Sequence, residues 1–418
     1  MKPARSIALV VAAFTFVSIA EMPAGSAFRG DNGRIVFSER TGLGSYEVLS
    51  VEDDGSGRMN LTKDPSFDSG GAWSPDGTRI AFSSTRDFND EIYAMDADGT
   101  NVTRLTRNRR AIDIQPAWSP DGTQIAFMST RDAGGSEIYV MNADGSEQTR
   151  VTVAQRSFET EPAWSPDGRL IAFVSDRDGD RDIWTVKPNG RALTNLTSNR
   201  SDESSPSWSP GGTQIAFTSD RDGKTNIYKM KSNGAMQTRL TSNPRRDSSP
   251  AWSPDGTKIA FISDRDGDGE IWIMNADGSA EADLSSGTSN GVHGSGPDWQ
   301  PVCTVLGTEG PDTLIGTSGH DLLCGLGGDD TLEAGNGYDV LLGGAGNDTL
   351  LGGDHNDVVV GGPGDDAHRG GPGDDLLNST DGTGQNDTLD GGTGSDRCLH
   401  DPNEPPMNCA RFDARFGE

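Results

Sequence analysis

A tryptophan recurs about every 45 residues through the first three quarters of the chain. An apolar triplet, usually Ile-Ala-Phe, follows after a short turn, and two further short apolar runs complete each unit. These runs are bounded by turn residues and rich in β-branched and aromatic side chains, which is typical of strands. Four short strands per unit are typical of a β-propeller blade. The recurring tryptophans are Trp73, Trp118, Trp164, Trp208, Trp252 and Trp299.

The ends of this array predict how the propeller closes. Four of the tryptophans stand in Trp-Ser-Pro-Asp-Gly, where proline presets φ and glycine accepts positive φ, so a tight turn should follow the first strand of each blade. The array begins on a second strand, at Ile35, and ends on a first strand, at Trp299. We therefore expect the two ends to share a blade and to close a ring of six without a free edge.

From Gly307 the chain changes to a nine-residue period. Eight units run to Asn378, twelve residues from Ser379 to Asp390 break the register, and a last unit covers Gly391 to Leu399. Full units carry glycine at positions one, two and four, aspartate at position six and an apolar residue at position eight. Glycine permits backbone conformations that aim carbonyls at a common centre, and the carboxylate adds charge, which suits Ca²⁺. The inward apolar residues should be Leu314, Leu323, Leu332, Leu341, Leu350, Val359 and Leu377.

The charge of the chain separates these two regions. The formal net charge is −29, from 64 acidic and 35 basic residues, and 307–399 holds 18 acids against two arginines. Such a surface repels nucleic acid and anionic membranes. Carboxylates at this density are either disordered or neutralised by cations. A flexible linker is the alternative, but it has no reason to repeat an aspartate and an apolar residue every nine positions.

Each repeat resembles a known family. Over residues 33–301, the W-S-P-D-G…I-A-F…I-Y…L-T pattern resembles TolB-type propellers, which implies a six-bladed propeller whose faces and channel bind protein or peptide partners. The pattern G-G-x-G-x-D-x-U-x resembles the repeats of RTX proteins, which implies a parallel β-roll holding Ca²⁺ between loops two units apart. The expected fold class is therefore all-β, a six-bladed β-propeller followed by a parallel β-roll.

The RTX resemblance assigns the position-six aspartates as calcium ligands and pairs each with the aspartate two units later. The glycine pattern is fullest around the five ligands from Asp339 to Asp375, where we expect the best sites. The first three units lack the second glycine, His355 replaces a glycine, and His368 and Cys398 replace inward apolar residues. The predicted ligands are Asp312, Asp321, Asp330, Asp339, Asp348, Asp357, Asp366, Asp375 and Asp396.

One propeller hairpin also carries alternating carboxylates. Asp264, Asp266 and Asp268 precede a glycine in the order found at the front of an EF-hand-like loop, although Asn275 stands where that loop has its glutamate. Two interpretations stay open. The hairpin binds Ca²⁺, or it is a solvated acidic turn.

The amino terminus predicts export. Lys2 and Arg5 precede an apolar run, 7–20, and small residues suited to cleavage after Ala27. We expect a signal peptide at 1–27, the propeller at 31–302, the roll at 303–399 and a tail or cap at 400–418. The mature protein should be a monomer that is secreted or held in the cell envelope, without a transmembrane segment.

The cysteines lie only in the second region. In an exported protein an even set favours disulfides, and four cysteines allow three connectivities. Spacing favours Cys303–Cys324 with Cys398–Cys409.

No motif in the sequence favours catalysis. HExxH and P-loop sequences are absent, and the propeller contains one histidine, His293. We therefore expect a calcium-dependent binding or scaffolding protein rather than an enzyme, with a protein, peptide or glycan ligand at a propeller face. One alternative is a hydrolase or lyase of an extracellular polymer, which requires acids from different blades that shift each other's pKa. Another is an envelope or matrix anchor held through calcium.

Overall fold

The computed structural model describes residues 32–418 except 42–44, 133, 155, 268, 286–295, 381–386, 402–407, 410 and 415–418, and the backbone alone for 411–414. The predicted signal peptide and His293 therefore lie outside the described residues. The described residues form strands and turns, with no helix among them. Accordingly, this part of the chain contains no helix long and apolar enough to cross a membrane.

The first 24 strands form six antiparallel sheets of four strands each. They are β1 Ile35–Arg40, β2 Tyr46–Val51, β3 Met59–Asn60, β4 Asp68–Trp73, β5 Arg79–Ser84, β6 Glu91–Asp96, β7 Thr103–Arg104, β8 Asp113–Trp118, β9 Gln124–Ser129, β10 Glu137–Asn142, β11 Thr149–Arg150, β12 Glu159–Trp164, β13 Ile171–Ser175, β14 Asp182–Val186, β15 Thr194–Asn195, β16 Glu203–Trp208, β17 Gln214–Ser219, β18 Asn226–Lys231, β19 Thr238–Arg239, β20 Asp247–Trp252, β21 Lys258–Ser263, β22 Glu270–Asn275, β23 Ala282–Asp283 and β24 Asp298–Trp299.

The predicted closure of the propeller is confirmed. Five sheets are made of consecutive strands, whereas the sixth has the order β24-β1-β2-β3. Its seam pairs Ile35 with Trp299 and Val36 with Asp298. The innermost strands β4, β8, β12, β16, β20 and β24 contact one another in sequence, and β24 contacts β4. The six sheets are therefore the blades of a closed ring.

The recurring tryptophans hold neighbouring blades together. Trp118 Nε1 donates to Ala72 O of the preceding blade at 3.2 Å, and Trp299 Nε1 donates to Ala251 O at 3.1 Å. The phenylalanine that ends each apolar triplet is almost fully buried between sheets. These phenylalanines are Phe37, Phe82, Phe127, Phe173, Phe217 and Phe261. The tryptophan contacts join neighbouring blades.

The repeated Ser-x-Arg-Asp motif has a structural role within each blade. Arg131 Nη2 lies 2.9 Å from Asp113 Oδ2 at the start of the same blade's innermost strand. Its guanidinium stacks 4.4 Å from the Tyr139 ring centroid, and its Nε donates to Ser129 Oγ at 2.8 Å. The partner of the arginine belongs to the same blade, because the motif follows the second strand and faces the start of the first.

The remaining strands form a roll of two parallel sheets. Successive nonapeptides alternate between the sheets, so strands two units apart pair in register. The seven-stranded sheet has the order β25-β27-β29-β31-β33-β35-β36, and the five-stranded sheet has the order β26-β28-β30-β32-β34. The strands are β25 Val305–Leu306, β26 Thr313–Ile315, β27 Leu322–Cys324, β28 Thr331–Asn336, β29 Val340–Leu342, β30 Thr349–Asp354, β31 Val358–Val360, β32 Ala367–Pro372, β33 Leu376–Asn378, β34 Thr388–Thr393, β35 Arg397–His400 and β36 Arg411–Ala414.

One column of apolar side chains fills the roll. It contains every predicted inward residue, from Leu314 to Leu377, together with Leu389 and Cys398. The disulfides Cys303–Cys324 and Cys398–Cys409 connect segments at its two ends. The connectivity favoured by the cysteine spacing is therefore confirmed.

Candidate metal centre

The position-six aspartates form two ladders along the roll. In each ladder the carboxylate Oδ1 accepts the backbone N–H of the aspartate two units earlier: Asp312 N lies 2.8 Å from Asp330 Oδ1, and Asp357 N lies 2.9 Å from Asp375 Oδ1. The structure thus brings together the aspartate pairs that the sequence predicted. One ladder contains Asp312, Asp330, Asp348, Asp366 and Asp387, and the other contains Asp321, Asp339, Asp357, Asp375 and Asp396.

The second oxygen of most of these carboxylates lacks a donor. In six described units Oδ2 is buried and accepts no hydrogen bond from the protein. A buried polar atom without a partner costs about 1–3 kcal/mol, and more when it is charged. Because the same oxygen is unpaired in unit after unit, these positions suit a cation. The six residues are Asp330, Asp339, Asp348, Asp357, Asp375 and Asp396.

Burial raises the pKa of these carboxyl groups. It raises the pKa of Asp339 to about 6 and that of Asp375 to about 7. The pKa of Asp357 rises to about 8, first because of burial and then because the charges of Asp375 and Asp339 lie close by. Near neutral pH the charged form of this ladder is therefore costly without a cation.

In the units that begin with glycine, this first residue leaves room beside the orphaned oxygen. A Cβ placed on Gly343 would lie 2.5 Å from Asp348 Oδ2 and 2.6 Å from the carbonyl oxygen of Gly361, two units later. A Cβ on Gly352 would meet Asp357 Oδ2 at 2.5 Å and the Gly370 carbonyl oxygen at 2.8 Å. Carboxylate and carbonyl oxygens thus converge in one cradle, and they are the ligands that Ca²⁺ prefers. The residues present fit this ion.

The first two units satisfy their carboxylates differently. Thr308 donates to Asp312 Oδ2 from its backbone N at 2.6 Å and its Oγ1 at 2.8 Å. Thr317 donates in the same way to Asp321 Oδ2, at 2.6 and 2.9 Å. Both threonines stand where later units have the second glycine. In these two units the chain itself supplies the partners that the later units lack.

The predicted twelve-residue interruption is wrong. Strand β34 pairs with β32, aligning Ala367 with Thr388 and His368 with Leu389. Asp366 N donates to Asp387 Oδ1 at 2.6 Å, across 21 residues instead of 18. The register is therefore broken by an insertion of three residues, and Asp387 is a ladder member that the sequence analysis missed. The signal was present, because Asp387-x-Leu389 lies nine residues before Asp396-x-Cys398.

His368 occupies a core position of the roll. The side chain is 2% exposed, and neither ring nitrogen has a hydrogen-bond partner. Burial lowers the pKa of His368 to about 4. The imidazole is therefore neutral, and it fills a place that leucine fills in the neighbouring rungs, Leu350 and Leu389.

The acidic propeller hairpin has a different composition from the one predicted. The carboxylates of Asp266, Glu270 and Asp283 lie within 4.8 Å of one another. Asp264 is not part of this group, and Asp268 lies outside the described residues. Cross-strand register aligns Asp283 with Arg104, Arg150 and Arg239 of three other blades, where the arginine pairs with an aspartate. A carboxylate thus replaces a cation in this blade, a relationship visible only across strands.

A cavity of about 690 Å³ forms the central channel of the propeller. Glu161 stands at a bulge of an innermost strand, with φ of 54°, and its Oε2 accepts Ser205 N at 2.5 Å. Burial raises the pKa of Glu161, while hydrogen bonds from Ser205 and the charges of Arg181 and Arg246 oppose the rise. Its counterparts in the other blades are Gly70, Gln115, Ser205, Ser249 and Gly296.

A second acid in the channel, Asp298, has its pKa shifted by burial and by backbone hydrogen bonds. Burial raises its pKa to about 6, and Trp73 N donates to its Oδ2 at 2.7 Å. The groups that shift the pKa values of Glu161 and Asp298 are backbone, hydroxyl and arginine groups. Neither acid is among the groups that shift the pKa of the other, so the pKa shifts of Glu161 and Asp298 arise from their separate surroundings.

Comparison with known proteins agrees with both repeats. The model of the TolB β-propeller domain matches residues 47–161, 106–202 and 196–306. The chain belongs to the TolB β-propeller domain family. The model of the RTX calcium-binding nonapeptide repeat matches residues 306–341 and 335–367. The second region thus consists of repeats of the calcium-binding type.

Individual TolB proteins share the propeller with this chain. The Tol-Pal system protein TolB of Geobacter sulfurreducens is 36% identical over 66 residues, which are 16% of this chain and 15% of that protein. The crystal structure of TolB from Acinetobacter baumannii covers 65% of this chain and 67% of its own, with 24% identity and a TM-score of 0.56. The match to a chain of a nidogen–laminin complex covers 64% of this chain and 98% of that chain, with 12% identity and a TM-score of 0.52. At these identities the structural likeness establishes the fold.

Proposed function

We propose that this protein is an exported calcium-binding protein whose roll folds around Ca²⁺ and whose propeller binds a protein, peptide or glycan partner. The observation that carries the calcium proposal is the series of six buried Oδ2 atoms without a donor, four of which converge with a glycine carbonyl oxygen, at Asp330, Asp348, Asp357 and Asp375. Bound Ca²⁺ would neutralise these carboxylates and bridge neighbouring turns. We expect it at Asp330, Asp339, Asp348, Asp357, Asp366, Asp375, Asp387 and Asp396.

Three further observations support export and a role outside the cytoplasm. Both disulfides lie in or beside the roll, and disulfides persist in oxidising compartments. The nonapeptides are of the RTX calcium-binding type, and extracellular modules commonly bind calcium at about 10⁻⁴–10⁻³ M. The amino-terminal sequence carries the signal pattern described above. Calcium would therefore fold the roll after the chain has left the cell.

The channel supports binding as the role of the propeller. Its bulge positions carry different side chains in different blades, from glycine to glutamine and Glu161, which gives the ring an asymmetric wall. Exposed Arg181 and Arg246 lie beside Glu161 in the same cavity. Mixed charge and hydroxyl groups around a channel suit a polar segment of a partner, because they provide both donors and acceptors. We propose no catalytic role for these residues.

A calcium titration of the full chain tests the calcium proposal. Calcium-free protein is titrated with CaCl₂ while far-ultraviolet circular dichroism and heat are recorded, and MgCl₂ serves as the control. We expect several ions to bind per chain, with a cooperative gain of β signal that a chelator reverses. All eight tryptophans lie between residues 73 and 299, so tryptophan fluorescence reports the propeller separately. Absence of both heat and spectral change on adding calcium would refute the proposal.

A further inference from the structure

The two outer faces of the roll differ in polarity. Position-eight side chains point inward, so position-seven side chains point outward. On four strands of the seven-stranded sheet these are apolar and mostly buried, with Arg397 at this position in β35, whereas on the five-stranded sheet they are threonines or alanine and none is fully buried. The first set is Leu322, Val340, Val358 and Leu376, and the second is Thr313, Thr331, Thr349, Ala367 and Thr388.

The apolar outer face and an adjoining loop residue pack against the turns that follow the propeller tryptophans. A Cβ on Gly168 would lie 3.2 Å from Leu376 Cδ2, and one on Gly211 would lie 3.2 Å from Tyr338 Cδ2. Polar contacts join the same surfaces: Arg169 Nη1 lies 2.8 Å from Asp374 Oδ2, and Arg397 Nη1 donates to the Gly168 carbonyl oxygen at 2.9 Å.

The roll spans one mouth of the channel. A cavity of about 600 Å³ lies between the two regions, and the roll contributes Leu322, Val340 and Val358 to its wall. Arg246 directly precedes the innermost strand β20, and Trp252 ends it. The channel residues near Arg246 therefore lie at the end of the channel opposite the roll. The cavity also contains one turn proline from every blade, namely Pro75, Pro120, Pro166, Pro210, Pro254 and Pro301.

Two of the covering side chains directly follow candidate calcium ligands. Val340 follows Asp339, and Val358 follows Asp357. Asp374, which contacts Arg169 of the propeller, lies immediately before the candidate ligand Asp375. Because strand and ligand are adjacent in sequence, the order of the covering face depends directly on the order of the ladder.

We propose that calcium controls access to the propeller channel. The calcium-loaded roll covers the mouth at the proline turns, so that partners enter at the Arg181 and Arg246 end. Without calcium the covering sheet loses its structure and the second mouth opens. This inference rests on the proposed function, because it requires that calcium folds the roll.

Hydrogen exchange of the full chain tests the proposed closure. Exchange is followed by mass spectrometry with CaCl₂ and with a chelator, at the turns 118–124, 164–170, 208–214 and 252–258. We expect calcium to slow exchange of these turns about tenfold or more, since covering removes local opening. The hairpins on the opposite face, 85–90 and 220–225, serve as an internal control and should not change.

Two matched double variants separate closure from roll folding. Val340→Asn with Val358→Asn alters the covering face, and Thr331→Asn with Thr349→Asn alters the opposite outer face. We expect both to keep the calcium-induced dichroism, and only the first to lose protection of the proline turns. Arg169→Glu, which lies in the propeller, should also reduce that protection, because it places like charges opposite Asp374. It carries the test if the valine variant fails to fold.

The outcomes distinguish this inference from the function on which it rests. If calcium induces the dichroism but leaves exchange of the proline turns unchanged, the closure is refuted and calcium-dependent folding stands. The same holds if the valine variant and Arg169→Glu both retain full protection. If calcium induces no dichroism in the unmodified chain, the proposed function itself fails.

Discussion

Asp113 in the propeller and Asp357 in the roll are both almost fully buried, yet their charges are compensated differently. Burial raises the pKa of Asp113, but a hydrogen bond from Ser129 and the charge of Arg131 oppose the rise. Around Asp357 the nearby charges that shift its pKa are other carboxylates, which raise it further. The carboxylate of Asp113 thus has a counter-charge within the chain, whereas the charges that shift the pKa of Asp357 include no cation.

This difference predicts that the propeller is stable without added cations, whereas the stability of the roll depends on them. The same pair of a buried carboxylate and a partly buried arginine recurs in five blades, so each of these carboxylates has its counter-charge within the chain. The pairs join Arg86 to Asp68, Arg131 to Asp113, Arg177 to Glu159, Arg221 to Glu203 and Arg265 to Asp247. The roll has regular backbone pairing and an apolar core, but its ladders hold repeated negative charge.

Breaking one propeller pair should give the largest effect. Arg131→Met keeps the packing of the side-chain stem but leaves the Asp113 carboxylate buried without its cation. We expect the free energy of unfolding of the propeller to fall by about 3 kcal/mol. Denaturant unfolding followed by tryptophan fluorescence measures it, and the loss should be the same with calcium and with chelator. Arg191→Met, at an exposed arginine, is the control. A loss seen only in chelator would contradict the comparison.

Removing one roll carboxylate should have opposite signs in the two conditions. Asp357→Asn should weaken calcium binding about tenfold or more, because a charged ligand is lost. In chelator it should stabilise the roll by about 1–2 kcal/mol, because a buried charge is removed. Titration calorimetry and thermal dichroism measure the two effects. Asp354→Asn, the same change at an exposed position, should do neither. Destabilisation of equal size in both conditions would show that Asp357 has a packing role alone.

Acid should partly replace calcium in the roll. The folded-state pKa values of Asp357 and Asp375, about 8 and 7, lie above the unfolded value near 4, so their protonation stabilises the fold. That contribution is complete below the unfolded pKa and is lost as pH rises through 7 to 8. In calcium-free buffer the roll should therefore gain β dichroism between pH 8 and pH 5 while tryptophan fluorescence stays constant. With calcium, the same change should weaken binding. A loss of calcium-free β signal on acidification would contradict this prediction.

Replacing the buried imidazole should give the smallest effect. His368→Leu supplies the residue type found at the neighbouring rungs and removes two ring nitrogens that lack partners. We expect the roll to gain about 1 kcal/mol and to fold at a lower calcium concentration. The reciprocal variant, Leu350→His, should require more calcium. Equal calcium midpoints for both variants and the parent chain would show that the imidazole is accommodated at no cost.

Most of the fold could be predicted from the sequence, because both repeats are dictated by local chemistry. The tryptophan period, the seam at Ile35 and Trp299, the leucine column and both disulfides follow from spacing. The position-six aspartates were identified for the same reason, since each unit repeats the same backbone requirement. The ladder geometry then follows from stacking identical units.

The remaining features depend on longer-range relations. Successive nine-residue units belong to different sheets, so residues of one sheet recur every eighteen positions. The difference in polarity between the two outer faces, for example between Val340 and Thr331, is therefore visible only at that longer period. The place of Asp387 was hidden because three inserted residues shift its unit. Thr308 and Thr317 looked like defects of the glycine pattern, although each donates twice to a carboxylate. Asp283 required knowledge of which outer strand lies beside which hairpin.

The seam of the propeller also determines an order of events during synthesis. Five blades contain only consecutive strands, so each sheet can form as soon as its own residues leave the ribosome or the export channel. The first blade must keep one edge open until Asp298 and Trp299 emerge to pair with β1. The ring therefore closes late, at about the time when the roll begins to form at β25. A nascent chain halted just before Trp299 would present an unpaired β1 edge to its surroundings.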